Sequence, residues 1–134
     1  MNKMNKKMEY ALMALKHISG KSDQDLTSAK EISEQMHIPF EVMAKVLQAL
    51  ASRGLLKAEY GASGGYVLAR PLSEVSVHGL SEMLEGHVAL TKCLGNDEPC
   101  EISGTCNITS PISNLNKKVQ EFYKSVSLSE VLHV

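Results

Sequence analysis

The chain has 134 residues, of which 43% are hydrophobic and 22% are charged, proportions ordinary for a globular protein large enough to bury one core. No run approaches the roughly 18 apolar residues of a membrane span, and no apolar stretch follows the basic N-terminus. We therefore expect a cytoplasmic protein with no membrane partner. The net charge of −1 conceals an asymmetry: residues 1–72 carry 10 basic and 7 acidic side chains, and residues 73–134 carry 4 and 8. The mildly basic front half permits contact with nucleic acid without requiring it.

Two amphipathic helices are predicted at the start of the chain. From Lys6 to Ser19 apolar residues recur at the i, i+3, i+4, i+7 spacing of a helix with one buried face. Ser28 and Glu31 then form an S-x-x-E capping box, in which side chains satisfy the free N–H groups at the start of a second helix. The segment 37–39, His-Ile-Pro, ends this helix because a residue before proline disfavours the helical conformation.

A third helix and a hairpin follow. Pro39 suits the first turn of the third helix, and Gly54 ends it. Leu55–Tyr60 and Tyr66–Ala69 are predicted strands, joined by the glycine-rich turn at 61–65. This order is typical of a winged helix-turn-helix, in which the third helix enters the major groove and the hairpin flanks the phosphates. Protein-binding modules use the same elements, so the pattern alone does not decide between the two.

The second half of the chain contains a short helix, a loop and a long helix. Apolar spacing after Pro71 predicts the short helix, and the aperiodic segment Lys92–Ser110 is predicted to be a loop. In the long helix that begins at Pro111, the apolar residues step by 3, 4, 3 and 4, the spacing of a heptad seam. They are Ile112, Leu115, Val119, Phe122 and Val126. Such a helix pairs with its twin or packs on its own domain.

All three cysteines lie in the loop, in the pattern C-x6-C-x5-C at Cys93, Cys100 and Cys106. Structural zinc sites use tighter cysteine pairs, and the C-x-x-C of a thioredoxin-type redox site is absent. A catalytic nucleophile requires one activated thiol, so an enzyme is not indicated. Thiolates hold iron–sulfur clusters, and a loop with these gaps can wrap one. Three reduced thiols without a metal are the alternative, although free cysteines are usually scattered in buried positions.

Several motifs together resemble the IscR/NsrR group of bacterial regulators, the Rrf family. They are KMEYALMAL at the start, VLQALASRGLL at the end of the third helix, the wing GASGGYVLARP, and three cysteines before a long C-terminal helix. The similarity covers roughly Lys6 to Val131. It implies a mainly α fold with a small β-hairpin wing: a winged helix-turn-helix DNA-binding domain over residues 1–72, then a cysteine loop and a long dimerisation helix over 73–134.

The function implied by the resemblance is that of a homodimeric repressor that binds a palindromic operator in double-stranded DNA. An iron–sulfur cluster in each subunit, with 4Fe–4S favoured and 2Fe–2S as the alternative, would control DNA binding. The signal would be redox state, nitric oxide, or iron–sulfur supply. Two alternatives stay open: a cluster-free winged-helix repressor that uses the cysteines as a thiol or disulfide sensor, and a zinc-stabilised interaction module without DNA binding.

The resemblance also assigns the cluster ligands. Cys93, Cys100 and Cys106 are the three thiolates. IscR-like proteins add a histidine three residues after the third cysteine, but Thr109 stands at that position here. NsrR-like proteins instead use a carboxylate from the first helix of the partner subunit, and the matching residue is Glu9, which could equally be a solvated helix charge. The other candidates for the fourth ligand are His87, His37, Asp97, Glu98 and Glu101.

DNA reading falls to the start of the third helix and to the wing. Glu41 can accept a hydrogen bond from cytosine N4, and Lys45 can contact a phosphate. IscR-like proteins carry a base-sensing glutamate where this chain has Ala44, so a different target sequence is expected. The predicted contacts from the helix are Pro39, Phe40, Glu41, Val42, Ala44 and Lys45. Those from the wing and its flanks are Arg53, Lys57, Ser63, Gly64, Gly65 and Arg70.

Overall fold

The structure, a computed structural model, describes residues 4–86, 101–102 and 104–134. Within these ranges it contains six α-helices and one two-stranded antiparallel sheet, which confirms the mainly helical fold with a small hairpin. The helices are α1 (Lys6–Ser19), α2 (Ala29–Met36), α3 (Phe40–Ser52), α4 (Val77–Glu85), α5 (Thr109–Ser125) and α6 (Leu128–Leu132). The strands are β1 (Leu56–Glu59) and β2 (Gly65–Leu68), and a short 3-10 turn spans Leu72–Glu74.

Side-chain caps set the starts of the first two helices. The Asn5 side chain accepts a hydrogen bond from the Met8 N–H at 2.9 Å, a cap that the apolar spacing of α1 did not reveal. The Ser28 hydroxyl accepts from the Glu31 N–H at 3.0 Å, as the hydroxyl part of its capping motif predicted, whereas the Glu31 carboxylate contacts His17 and Lys21. His37 then turns the chain with a left-handed φ of 56°. Pro39 is extended and precedes α3 as its N-cap, so its expected place within the first turn was wrong by one residue.

The core is one cluster to which both halves of the chain contribute. Helix α1 buries six residues, including Leu15, which is fully buried. Leu47 of α3, Leu80 of α4 and Leu128 of α6 belong to the same cluster and are also fully buried. The Leu128 N–H donates to the Val75 carbonyl at 2.8 Å, which joins α6 to the segment before α4. The C-terminal residues therefore complete the core around the first three helices.

The hairpin is bound to the segment that precedes α2. Tyr66 of β2 exchanges two backbone hydrogen bonds with Thr27, at 3.0 and 2.8 Å. Gly65 lies so close to this segment that an added Cβ would stand 2.8 Å from the Thr27 carbonyl carbon and oxygen. Strand β1 is two residues shorter than predicted and β2 begins and ends one residue earlier, since β1 pairs with β2 from Leu56↔Leu68 to Glu59↔Gly65.

Helix α5 leaves its apolar seam uncovered in the single chain. None of its residues is buried, and the side chains of Leu115 and Phe122 are 49% and 63% exposed. The helix begins at Thr109, two residues before the predicted start at Pro111. Its last expected seam position, Val126, lies beyond the helix end, where its carbonyl accepts a hydrogen bond from the Val77 N–H at 2.9 Å.

A charged cluster joins α1 to α2. The Glu31 carboxylate lies 2.6 Å from His17 Nε2 and 2.7 Å from Lys21 Nζ. Hydrogen bonds from Lys21 and then from His17 lower the pKa of the Glu31 carboxyl below its ordinary value of 4.5. The cluster is partly shielded from solvent, since the Glu31 side chain is 29% exposed.

We expect Gly65→Ala to lower the free energy of unfolding by about 1–3 kcal/mol, because the new methyl group forces the hairpin away from Thr27. Urea denaturation followed by circular dichroism measures this change. Gly104→Ala is the matched control, since a Cβ there has no neighbour within 4 Å. Equal unfolding midpoints for the two variants would contradict the close approach of Gly65 to Thr27.

Replacement of Glu31 by Gln should destabilise the protein at neutral pH by about 0.5–1 kcal/mol, the range of a solvent-accessible ion pair. Because the folded-state pKa is lowered, the contribution of Glu31 is fully present above pH 4.5 and is lost as the pH falls through the folded-state value. Unfolding curves at pH 7 and at successively lower pH should therefore converge for the wild type and Glu31→Gln. Glu34→Gln, at an exposed position of α2, should show no such convergence.

Candidate nucleic-acid interface and metal centre

The start of α3 presents its predicted base-reading residues to solvent. Phe40 and Val42 are 54% and 37% exposed, although both are large and apolar. Met43 and Leu47 on the opposite face are fully buried, which fixes the rotation of the helix about its axis. Of the other predicted contacts, Pro39, Glu41 and Lys45 are exposed and Ala44 is half-buried. The structure thus brings all six to one accessible end of the helix.

One further residue on this face was missed from the sequence. Gln48 is exposed and lies one turn beyond Lys45, on the side where α3 and the hairpin border a shallow hollow. A glutamine can form a bidentate hydrogen bond with adenine in the major groove. The helical period from Glu41 through Lys45 to Gln48 would have identified it.

The predicted contacts in the wing have mixed surroundings. Arg53, Lys57, Ser63 and Arg70 are exposed, and Gly64 and Gly65 are half-buried. Lys57 Nζ lies 3.5 Å from Glu59 Oε1, so a neighbouring carboxylate partly offsets its charge. Gly64 and Gly65 were predicted to contact DNA. Close packing within the protein also requires glycine at both positions. A Cβ at Gly64 would stand 2.4 Å from the Glu59 carbonyl oxygen. Contact of these glycines with DNA stays a prediction.

Of the predicted thiolate ligands, Cys106 lies among the described residues, whereas Cys93 and Cys100 lie outside them, as do His87, Asp97 and Glu98. Cys106 is half-buried just before α5. A hydrogen bond from the Thr109 side chain, supported by backbone hydrogen bonds at Ile108 and Thr109, lowers the pKa of the Cys106 thiol. The lower pKa increases the fraction of thiolate, which is the form that binds metal.

Glu9 lies in the first turn of α1 with its side chain 44% exposed. It forms an ion pair with Lys6, whose Nζ is 3.1 Å from Glu9 Oε2, and the Lys6 side chain is 78% exposed. Such a pair is weak, so the carboxylate can exchange this partner for another. The Asn5 side chain that caps α1 donates a hydrogen bond to Glu85, the last residue of α4. The start of α1 is thereby held at the end of α4, just before the cysteine segment.

The other ligand candidates within the described ranges are dispersed. His37 is exposed in the turn between α2 and α3, and Glu101 is exposed beside the cysteine segment. Among residues 4–86, 101–102 and 104–134, no group of three His, Cys, Asp or Glu side chains is arranged to hold a metal ion. Cys106, a thiol of lowered pKa, and Glu9, an accessible carboxylate, are each able to bind a metal ion, and their place in one shared site stays a prediction.

Comparison with known proteins decides the family. The model of the Rrf2 family, described as an iron-dependent transcriptional regulator, matches residues 4–134. The chain belongs to the Rrf2 family. This confirms the resemblance found in the sequence, and Rrf2 proteins are DNA-binding transcriptional regulators and not enzymes. A zinc-stabilised module without DNA binding does not fit this family.

Individual Rrf2 relatives agree over nearly the whole chain. The HTH-type transcriptional regulator NsrR of Oceanobacillus iheyensis is 34% identical, over 90% of this chain and 81% of the relative. Two solved structures share the fold at 23% identity: CymR, the global cysteine regulator of B. subtilis, and IscR of T. potens. CymR has a TM-score of 0.73 and the match covers 99% of this chain and 98% of CymR. For IscR the TM-score is 0.70, with 98% and 87% covered. These likenesses confirm the winged-helix fold.

In the part of the chain that the structure describes, no helix is both long and apolar enough to cross a membrane.

Lys45→Ala and Phe40→Ala should weaken DNA binding in different ways. Loss of the Lys45 charge should lower the slope of log K against log salt by about 1 and weaken all duplexes alike. Loss of the Phe40 ring, an apolar partner for a thymine methyl, should cost about 1–3 kcal/mol on the preferred duplex only and leave the slope unchanged. Fluorescence anisotropy on a duplex selected from a random pool, at several salt concentrations, separates the two effects. Lys16→Ala, at an exposed position of α1, is the control; a slope change as large as that of Lys45→Ala would contradict the assignment.

Proposed function

We propose that this protein is a homodimeric repressor of a palindromic operator, and that an iron–sulfur cluster in each subunit controls its DNA binding. The observation that carries the proposal is the cysteine segment of a chain that matches the Rrf2 family over residues 4–134, with Cys106 placed immediately before α5. Cys93 and Cys100 share its segment. The 34% identity to NsrR over 90% of the chain supports the same reading.

The proposed ligands are Cys93, Cys100, Cys106 and Glu9 of the partner subunit. Thr109, at the position of the IscR-type histidine, donates a hydrogen bond to Cys106 and so supports a ligand without being one. Hydrogen bonds of this kind orient and tune metal ligands. A bound cluster, with 4Fe–4S favoured over 2Fe–2S, supplies a centre that reacts with oxygen or nitric oxide. The weakly paired, half-exposed Glu9 is free to approach it.

The exposed seam of α5 supports a dimer. Leu115 and Phe122 are 49% and 63% exposed, and Ile112 and Val119 beside them are half-buried. The heptad spacing of these four residues suits the same helix of a second copy. Residues 1–72 would then form the DNA-binding part and residues 73–134 the part that carries the cysteines and the dimer contact.

Helix α1 is the proposed link between the cluster and the DNA. Glu9 lies at its start, and His17 near its end contacts Glu31 of α2 at 2.6 Å. Release of Glu9 from a ligand role would change what holds the start of α1. The other end of the same helix contacts the helix that precedes the DNA-reading α3. Cluster loss would thus alter the placement of the helix-turn-helix.

Anaerobic purification tests the cofactor. We expect a brown protein with visible absorbance, bound iron and acid-labile sulfide. A colourless protein that also fails to take up iron and sulfide on reconstitution would overturn the proposal. The palindrome and the dimer are tested in parallel, by the symmetry of duplexes selected from a random pool and by the mass of the free protein in solution.

Replacement of Glu9 by Ala should change the visible spectrum of the reconstituted protein or hasten loss of its colour in air, while the dimer stays folded. The reason is that the carboxylate ligand is removed without touching a buried residue. Lys6→Ala is the matched control, since it breaks the same ion pair and leaves the carboxylate in place. An unchanged spectrum and decay rate for Glu9→Ala would exclude Glu9 from the site.

A second candidate function, a cluster-free thiol sensor, is favoured by the lowered pKa of Cys106, because thiolates are the species that oxidise. In that case the metal-free protein should change its DNA affinity on treatment with peroxide or a disulfide, and a reducing thiol should reverse the change. Mass spectrometry without reductant would show a disulfide or a mixed disulfide at Cys106. Oxidation without effect on DNA affinity would exclude this function.

A further inference from the structure

Tyr60 is an aromatic residue with almost no contact to its own chain. Its exposed fraction of 94% is far above that of the other large hydrophobic residues in the described ranges, the next being 63%. It directly follows β1, at the tip of the hairpin. An aromatic ring buries more area than most side chains when it binds, and here that area is entirely unused. Tyr60 therefore contributes little to the fold and is available to a partner.

A backbone hydrogen bond closes the turn that follows Tyr60. Gly61 has a φ of +119°, and its carbonyl accepts a hydrogen bond from the Gly64 N–H at 3.1 Å. Gly64 packs so closely that a Cβ would stand 2.4 Å from the Glu59 carbonyl oxygen. Glu59 in turn pairs with Gly65 across the sheet. The backbone on both sides of Tyr60 thus has defined partners, which reduces the backbone ordering needed when the ring is bound.

The hairpin is also held against the rest of the DNA-binding part. Thr27, one residue before the cap of α2, exchanges backbone hydrogen bonds of 3.0 and 2.8 Å with Tyr66 of β2. Leu55 and Leu56, which lead into β1 from α3, are buried in the core. The position of Tyr60 relative to the DNA-reading end of α3 is therefore set by the fold.

Charge provides little of the attraction at this tip. Lys57 is paired with Glu59 at 3.5 Å, so the two charges nearest to Tyr60 on β1 offset each other. A wing that met only phosphates would place unopposed basic groups here. The ring is instead the largest group at the tip, and shallow hollows border it on either side of the hairpin. A contact made mainly through apolar surface fits these facts.

We infer that Tyr60 contacts the duplex directly: its ring packs on deoxyribose at the edge of the minor groove that flanks the major groove read by α3. In that position the hydroxyl would be able to donate to the N3 and O2 acceptors of A·T pairs. The inference rests on DNA binding by this protein but not on the identity of the sensor. It adds a residue to the wing contacts predicted from the sequence, and this contact is not electrostatic.

Affinity and salt dependence test the contact. On a duplex selected with the wild-type protein, Tyr60→Ala should weaken binding by about tenfold, the size of one aromatic contact, with no change in the salt slope. Tyr60→Phe should stay within about threefold of the wild type, since the ring carries the contact. Arg70→Ala, at an exposed position at the base of the wing, is the electrostatic comparison and should reduce the salt slope. Binding of Tyr60→Ala within twofold of the wild type, or an equal loss in Tyr60→Phe, would overturn the inference.

A fluorescence measurement tests the contact independently of affinity. The chain contains no tryptophan, so Tyr60→Trp introduces a single indole at the tip. Saturating duplex should quench its emission and protect it from acrylamide. Val134→Trp, at a residue that is 50% exposed outside the α5 seam, is the matched control and should not respond. An emission from Tyr60→Trp that saturating duplex leaves unchanged would overturn the inference. A wild-type protein that binds no duplex would instead refute the proposed function itself.

Discussion

The buried stripe of α1 is the interaction on which the rest of the structure depends. It packs against α3, α4 and β2, and its residues Ala11, Ala14 and Leu15 are fully buried. The two alanines let neighbouring helices approach closely, and burial of a leucine side chain is worth about 1.5–3 kcal/mol. Helix α1 contacts α3, the hairpin and α4, so a displacement of α1 would shift all three.

The two polar contacts of α1 lie at opposite ends. At its start, Asn5 both caps the helix and donates to Glu85, so the cap and the attachment to α4 depend on one side chain. Near its end, His17 contacts the side chain of Glu31, whose backbone N–H donates to Ser28, the cap of α2. The apolar stripe holds the helix in place, and the polar contacts at its two ends connect it to α4 and to α2. This arrangement suits a regulator better than a rigid scaffold, because polar contacts are more readily exchanged than buried leucines.

The predicted DNA-contact surface is less basic than the front half of the sequence suggests. Lys57 is offset by Glu59, and the exposed groups at the contact surface include the apolar Phe40 and Tyr60. Apolar contacts add affinity that salt does not screen, whereas phosphate contacts weaken steeply as salt rises. Arg53 and Arg70 remain exposed at the base of the wing, where phosphate contact sets orientation. Discrimination between sequences then falls to the start of α3.

The sequence by itself indicated the helices and the hairpin, because these depend on local spacing, and its motifs indicated the family through resemblance. The period of α1, the Ser28 cap and the glycine-rich turn each involve residues within a few positions of one another. Only the tertiary structure showed that Asn5 meets Glu85, that Thr27 admits no side chain at position 65, and that Glu59 offsets Lys57. No periodicity encodes the first two contacts, since they join segments far apart in the chain, and strand alternation alone did not reveal the third. The motif identified Cys106 as a candidate ligand. The hydrogen bond from Thr109 that lowers the pKa of its thiol depends on where α5 begins, which only the three-dimensional structure shows.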